Sequence, residues 1–118
     1  MIQSVSNTIT GNGTMYIGSR LRGRIIAVKI VAGAVTDNYD MALTGETTGI
    51  AIFTHDNLTL STTEWFYPRR LADDQADESV SADFYVQIPV LNERIKCVVA
   101  NAGTTKDIAV TVIYDSED

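Results

Sequence analysis

Apolar residues recur along this chain in short bursts of two-residue period. No stretch of 11 or more residues carries the i, i+3, i+4, i+7 spacing of an amphipathic helix. Tyr39, Met41 and Leu43 alternate with Asp40, Ala42 and Thr44, the pattern of a half-buried strand. Ile95, Cys97 and Val99 share a parity within 94–100, and Ile108, Val110, Val112 and Tyr114 share one within 108–114. These two segments are expected to be strands and to form an antiparallel pair, with Cys97 in the core. Residues 24–31 are β-branched and apolar on both parities, which predicts a central strand covered on both faces. Shorter strands are predicted at 14–17, 50–53, 62–67 and 84–88.

Turn chemistry separates these runs. Residues 32–38 and 101–107 are small and polar, 45–49 is a turn by composition, and Thr54-His55-Asp56-Asn57 is expected to stop the run before it. Pro68 should end one strand and Pro89 interrupt another, because proline cannot donate to a ladder. Segment 69–82 lacks alternation and reads as a long exposed loop, and 115–118 reads as a solvated acidic tail. Residues 1–13, rich in Ser, Thr, Asn and Gly, read as an N-terminal arm or an edge strand whose order depends on a partner edge. The expectation is an all-β, antiparallel β-sandwich, jelly-roll-like, as a single domain over 14–118 preceded by the arm.

Composition narrows the function classes. The 118 residues suit one domain, and 45% hydrophobic with 20% charged residues suit a folded chain. Nine Lys and Arg against fifteen Asp and Glu give a net charge of -6, which disfavours nucleic acid unless the bases gather in a patch. The single cysteine excludes an internal disulfide, and neither a signal peptide nor a membrane span is read.

Candidate chemistry is sparse. His55, the only histidine, lies in a short polar turn between Thr54 and Asp56 and reads as incidental, and Cys97 sits on a core parity where a thiolate is disfavoured. Fifteen acids guarantee some carboxylate pairs by chance, so none points to glycoside hydrolysis. Asp73, Asp74, Asp77 and Glu78 gather hard oxygen ligands but lack the spacing of an EF-hand loop, and a solvated loop is the preferred reading. Gly11-Asn12-Gly13 lacks the third glycine of a phosphate loop, and the sequons at Asn12 and Asn57 carry no weight without a secretory signal. No catalytic, cofactor-binding or metal-ligating residue is assigned. The most distinctive feature is Trp65-Phe66-Tyr67-Pro68-Arg69-Arg70: three adjacent aromatics cannot share a face, so part is core. Outward aromatics beside two arginines have the composition of a protein interface. A core strand end with two solvated arginines explains the same residues.

The stretch 23–28 (Gly-Arg-Ile-Ile-Ala-Val), Trp65 to Arg69, Pro89-Val90, residues 94–103 and residues 110–114 together resemble a family of small tailed-bacteriophage virion proteins associated with the capsid. The similarity spans about 23–114 and rests on the order of its landmarks. Cys97, where the pattern commonly has Val, and the turn Asn101-Ala102-Gly103, which is less glycine-rich than the family's, depart from it. The resemblance implies a non-enzymatic capsid decoration or cement protein that binds the phage major capsid protein in the virion. It would be assembled in the host cytoplasm and self-associate as a dimer or trimer, without nucleic acid or membrane partners. The contact residues expected are Trp65, Tyr67, Arg69 and Arg70, with Ile2, Val5 and Ile9 as pegs of an arm that adds a strand to a neighbour. Two other readings stand beside it: a head-tail connector or tail component, and a carbohydrate-binding β-sandwich module stacking sugar on Trp65 and Tyr67.

Overall fold

The computed structural model describes residues 1–32, 39–58, 63–71, 85–103 and 107–117. The described residues form nine strands and no helix: β1 (Ile2–Thr10), β2 (Gly13–Ala32), β3 (Tyr39–Gly45), β4 (Ala51–Leu58), β5 (Thr63–Phe66), β6 (Arg70–Leu71), β7 (Tyr85–Val86), β8 (Pro89–Ala100) and β9 (Asp107–Ser116). The all-β, antiparallel class is therefore as expected. Seven strands join in one sheet, in the order β1-β9-β2-β8-β3-β4 with β5 also on β2, and β6 pairs with β7 as a separate ribbon.

The long strand β2 organises this sheet. Its first half lies against β8, from Gly13 opposite Val99 to Arg24 opposite Pro89, and its second half against β9, from Gly23 opposite Ser116 to Ala32 opposite Ile108. A straight strand of this length would run about 63 Å, yet the longest dimension of the described molecule is 46 Å. Val99 and Ile108 also mark the two ends of β2 while lying only nine residues apart, a separation that extended chain bridges over at most about 32 Å. The strand therefore curls, and the sheet curls with it around one core cluster drawn mainly from β2, β3, β4, β8 and β9.

Register shifts in β2 make the curl possible and settle which parity faces the core. Ile17, Leu21 and Ile25 point inward, then a shift between Ile25 and Ala27 makes Ile26 an extra residue, and Val28, Ile30 and Ala32 point inward instead. A bulge reverses the alternation because it moves every later side chain to the opposite face. This corrects the reading of 24–31 as a strand buried on both faces: Ile26 is half-buried and Val31 is exposed, and apolar residues occupy both parities because the parity changes midway. β8 behaves in the same way. Val90 points inward, Asn92 takes a left-handed conformation (φ 58°) as the unpaired residue between Leu91 and Glu93, and Glu93, Ile95, Cys97 and Val99 then face the core.

Several boundaries also differ from expectation. Segments 14–17 and 24–31 are one strand. The strands containing 94–100 and 108–114 do not pair with each other, because β2 lies between them and takes the edge of each. β4 continues through His55 and Asp56, because pairing to β3 carries it on until Leu58 enters the core opposite Tyr39. Pro89 opens β8, the position in a strand where no ladder N–H is required. Arg70–Leu71 and Tyr85–Val86 pair as β6 and β7 at the two ends of the expected loop, and the acids Asp73, Asp74, Asp77 and Glu78 lie outside the described residues. β9 includes Asp115, whose carboxylate accepts a hydrogen bond from the Met1 ammonium at 2.9 Å.

Gly23 stands where β2 passes from one neighbour to the other, opposite both Val90 and Ser116. Its φ of +146° is nearly restricted to glycine, and a Cβ there would overlap the Asp115 carbonyl. Gly23→Ala is expected to destabilise the fold by about 3 kcal/mol or more, read from urea denaturation. A variant within experimental error of the parent would show that the crossing has room to relax.

Candidate functional site

The rim of the curled sheet carries most of the candidate residues. Hydrogen bonds between Met1 and Ser116 in both directions, at 2.8 and 3.3 Å, fix the pairing phase of β1 on β9. With a period of two, residues 3, 5, 7 and 9 turn their backbone groups toward β9, and Ile2, Ser4, Ser6 and Thr8 turn theirs away. Asn7 closes one end of the free edge: its Oδ1 accepts from Thr8 N at 2.8 Å and its Nδ2 donates to the Tyr16 carbonyl at 2.9 Å. From Ile2 to Ser6 the edge has no second strand partner among the described residues. No charge, proline or glycine interrupts β1, the usual devices that blunt an open edge.

Of the three arm pegs, Val5 and Ile9 pack against the core of their own chain, and Ile2 is 61% exposed. Their strand lies in register with the aromatic element across four strands. Val5, Val112, Val28 and Phe66 form one inward row, and Ser6, Thr111, Lys29 and Trp65 form the outward row beside it. Trp65 and the β1 edge therefore bound one face about 14 Å wide, three strand spacings.

Within the aromatic element the parity works as the sequence suggests. Phe66 is half-buried and meets Phe53 and His55 with ring centroids 4.8 and 5.5 Å apart, while Trp65 and Tyr67 are 45% and 64% exposed. The Lys29 ammonium sits 5.6 Å from the Trp65 ring centroid, a cation-π distance that occupies one face of the indole. The two arginines part company. Arg69 turns back onto its own backbone, donating to the Pro68 carbonyl at 2.7 Å and the Ile26 carbonyl at 3.2 Å, which anchors the chain after β5 along the bulge of β2. Arg70 is exposed on β6 and lines a cavity with Arg24, Val86, Gln87 and Pro89.

Glu93, which the sequence reading did not single out, is the one buried charged residue among those described. It accepts hydrogen bonds from Thr47 N at 2.8 Å, Thr48 N at 2.9 Å and the Thr48 hydroxyl at 2.7 Å, and so fastens the β3–β4 turn to β8. Burial raises its pKa, but the donors from Thr48, Thr47 and Leu91 outweigh burial and hold it below the ordinary carboxylate value. Gly45 leaves the space, since a Cβ there would lie 2.5 Å from Glu93 Oε2. Beside this pin, Arg94 forks onto Glu46 through Nε at 2.9 Å and a second bond from its Nη2, and its guanidinium lies 4.1 Å from the Tyr16 ring centroid. A cue was present in the sequence: Glu93 shares the parity of Ile95, Cys97 and Val99, the residues expected to face the core.

The remaining titratable candidates are held apart. Cys97 is fully buried between Met15 and Leu43, and burial pushes its thiol up to about 12. His55 is exposed on β4, with Nδ1 2.9 Å from the Asp56 carbonyl. Tyr39 is fully buried with no hydrogen-bond partner for its hydroxyl among the described residues, and burial, with a smaller effect of Glu64, raises its pKa to about 12.

No protein-family model matches the chain, and no curated protein matches it. Among solved structures, a chain from the acid-stable capsid of Helicobacter pylori bacteriophage KHP30 is similar, with a TM-score of 0.53 and 14% sequence identity. The likeness covers 98% of this chain and 89% of that one and is one of fold.

Two outcomes follow from the buried groups. Glu93→Gln is expected to cost about 2 kcal/mol at neutral pH, since charge-assisted bonds are replaced by neutral ones. A carboxylate with a depressed folded pKa stabilises fully above its unfolded value and loses that contribution as pH falls through the folded one. Wild-type stability, followed by denaturation from pH 7 into the acid range, should therefore fall more steeply than that of Glu93→Gln; parallel curves would remove Glu93 as the cause. Cys97 should resist a thiol reagent at pH 8 and react only at the rate of opening, and rapid labelling of the native chain would contradict its place in the core.

Proposed function

We propose that this chain is a structural component of a bacteriophage virion: a decoration or cement protein that binds the shell of major capsid protein and stabilises it, catalysing no reaction. The observation that carries the reading is the likeness of fold, over 98% of the chain, to a chain of the KHP30 capsid. The surface supports it. Binding by complementary contact requires exposed edge and apolar area, and this chain presents the Ile2–Ser6 edge of β1 at one side of a sheet face and Trp65 and Tyr67 toward the other. A capsid strand laid along that edge would gain backbone hydrogen bonds, and Ile2 is the exposed side chain placed to grip it. Self-association into dimers or trimers on the shell would multiply such contacts by avidity, and binding the assembled state alone stabilises it by mass action. On this reading the chain is made in the host cytoplasm and resides in the virion.

The test uses phage heads that lack the protein. Purified chain added to such shells should fill fixed sites and raise the temperature at which they disrupt; a chain that binds only at the neck or tail, or does not bind, would overturn the shell assignment. Ser4→Pro removes an N–H that β9 does not use and so should leave the melting temperature nearly unchanged, while reducing shell occupancy about tenfold, equivalent to 1.4 kcal/mol. Unchanged occupancy would show that the β1 edge is not the contact.

A further inference from the structure

The middle of β2 and the β6–β7 ribbon enclose a half-open cavity of about 260 Å3, walled by Arg24, Arg70, Val86, Gln87 and Pro89. Arg24 stands on β2 opposite Pro89, and Arg70 on β6 opposite Val86. Beside these lining residues in the chain, Ile25 N donates to the Ile88 carbonyl at 2.9 Å and Glu117 N to the Arg22 carbonyl at 3.0 Å. Its two guanidinium groups have no carboxylate partner among the described residues, where the ion pairs are Met1–Asp115 and Glu46–Arg94. Asp115, directly across from Arg24 on β9, is engaged by the Met1 ammonium at 2.9 Å instead. Two arginines without an ion pair among the described residues thus line one cavity.

We propose that this cavity is a carboxylate pocket that receives one acidic side chain, aspartate or glutamate, of a partner protein. Taking the partner to be the capsid shell rests on the function proposed above. Guanidinium groups fork onto carboxylates through paired N–H bonds, and Gln87 adds an amide donor. Val86 and Pro89 give an apolar wall for the methylene stem of the incoming side chain and displace water from the charges. The volume is several times the roughly 30 Å3 share of a water molecule and below the roughly 300–1,000 Å3 of cofactor pockets, so one side chain is the fitting size. A single carboxylate needs only the local charge of Arg24 and Arg70, and the nearby Asp115 carboxylate is offset by the Met1 ammonium. A nucleic acid strand would also meet the repulsion of a chain with net charge -6.

The purified full chain is titrated with a blocked tripeptide bearing one glutamate, its glutamine counterpart, inorganic phosphate and a short single-stranded DNA, following the Nε–H resonances of Arg24 and Arg70 by NMR. The glutamate peptide is expected to shift both resonances saturably and the glutamine peptide neither. In R24Q/R70Q, with the amide spectrum otherwise retained, the site should be lost, and R70K should weaken it because the fork is gone while the charge remains. Equal shifts from both peptides, no shift from either, or tighter binding of phosphate or DNA than of the glutamate peptide would each overturn the proposal. Should R24Q/R70Q be unfolded, the comparison of the two peptides on the wild-type chain decides alone. On shells, the double variant should show at least about a tenfold loss of occupancy. Wild type and variant filling shells equally would defeat the pocket's role there while leaving the virion assignment intact. A wild type that never fills shells would defeat that assignment while the peptide titration still decides the pocket.

Discussion

Backbone hydrogen bonding from β2 to two successive neighbours is what joins this sheet. β8 takes the first half of the strand and β9 the second, and at the crossing Arg24 and, before it, Gly23 each stand opposite a partner on both sides. Such a residue must bring three backbones together, and at Gly23 the Asp115 carbonyl occupies the space a Cβ would need. The constraint spreads outward. A strand that changes neighbours must twist and bend, and β-bulges supply both; each bulge also reverses which side chains face inward. The core forms because the reversals in β2 and β8 are matched by where their apolar residues stand, with Ile25 and Val28 on either side of one and Val90 and Ile95 on either side of the other.

The same matching explains where a polar residue is admitted. The bulge at Asn92 delivers Glu93 inward at the point where the β3–β4 turn leaves two backbone N–H groups and a hydroxyl unsatisfied. A buried carboxylate is costly alone, but three donors meet it here, so it fixes the turn relative to β8 in one arrangement. Arg94, the next residue, points outward and takes Glu46 from the other side of that turn. Two consecutive side chains of β8 thus hold opposite faces of one loop.

Much of this was legible in the sequence, and the parts that were not share a cause. Tyr39, Met41 and Leu43, the Ile95 to Val99 run and the Ile108 to Tyr114 run lie in unbroken ladders, so strict alternation reports their burial. Residues 24–31 misled because a parity switch and a strand buried on both faces leave the same apolar string. The pairing of β8 with β9 was expected because consecutive strands usually neighbour one another, and here a strand from earlier in the chain intervenes. His55 and Asp56 read as a stop because polar residues end a buried strand, whereas β4 stands at the end of the sheet's strand order and tolerates them. At the rim, the outward parity of Trp65 and Tyr67 was readable from one segment. The register that aligns β1 with β5 across β9 and β2 was not, because it depends on three pairings between distant segments.

That distribution of constraint bears on what the surface can do. The interior positions are determined closely: the bulged residues, the crossing glycine and the pinned turn each answer a specific geometric demand. The rim is determined loosely. Nothing in the packing of the core requires β1 to lack charge, Trp65 to stand outward, or Arg24 and Arg70 to go without an ion pair among the described residues. Natural edges are usually blunted, and a folded monomer gains nothing from leaving one open. Under the two proposals made above, the partners of these features, a strand for the edge and a carboxylate for the pocket, belong to another protein. Because each such contact would be modest alone, the proposed function needs all of them engaged at once on a repeating lattice, and a site that offers only one would release the chain readily.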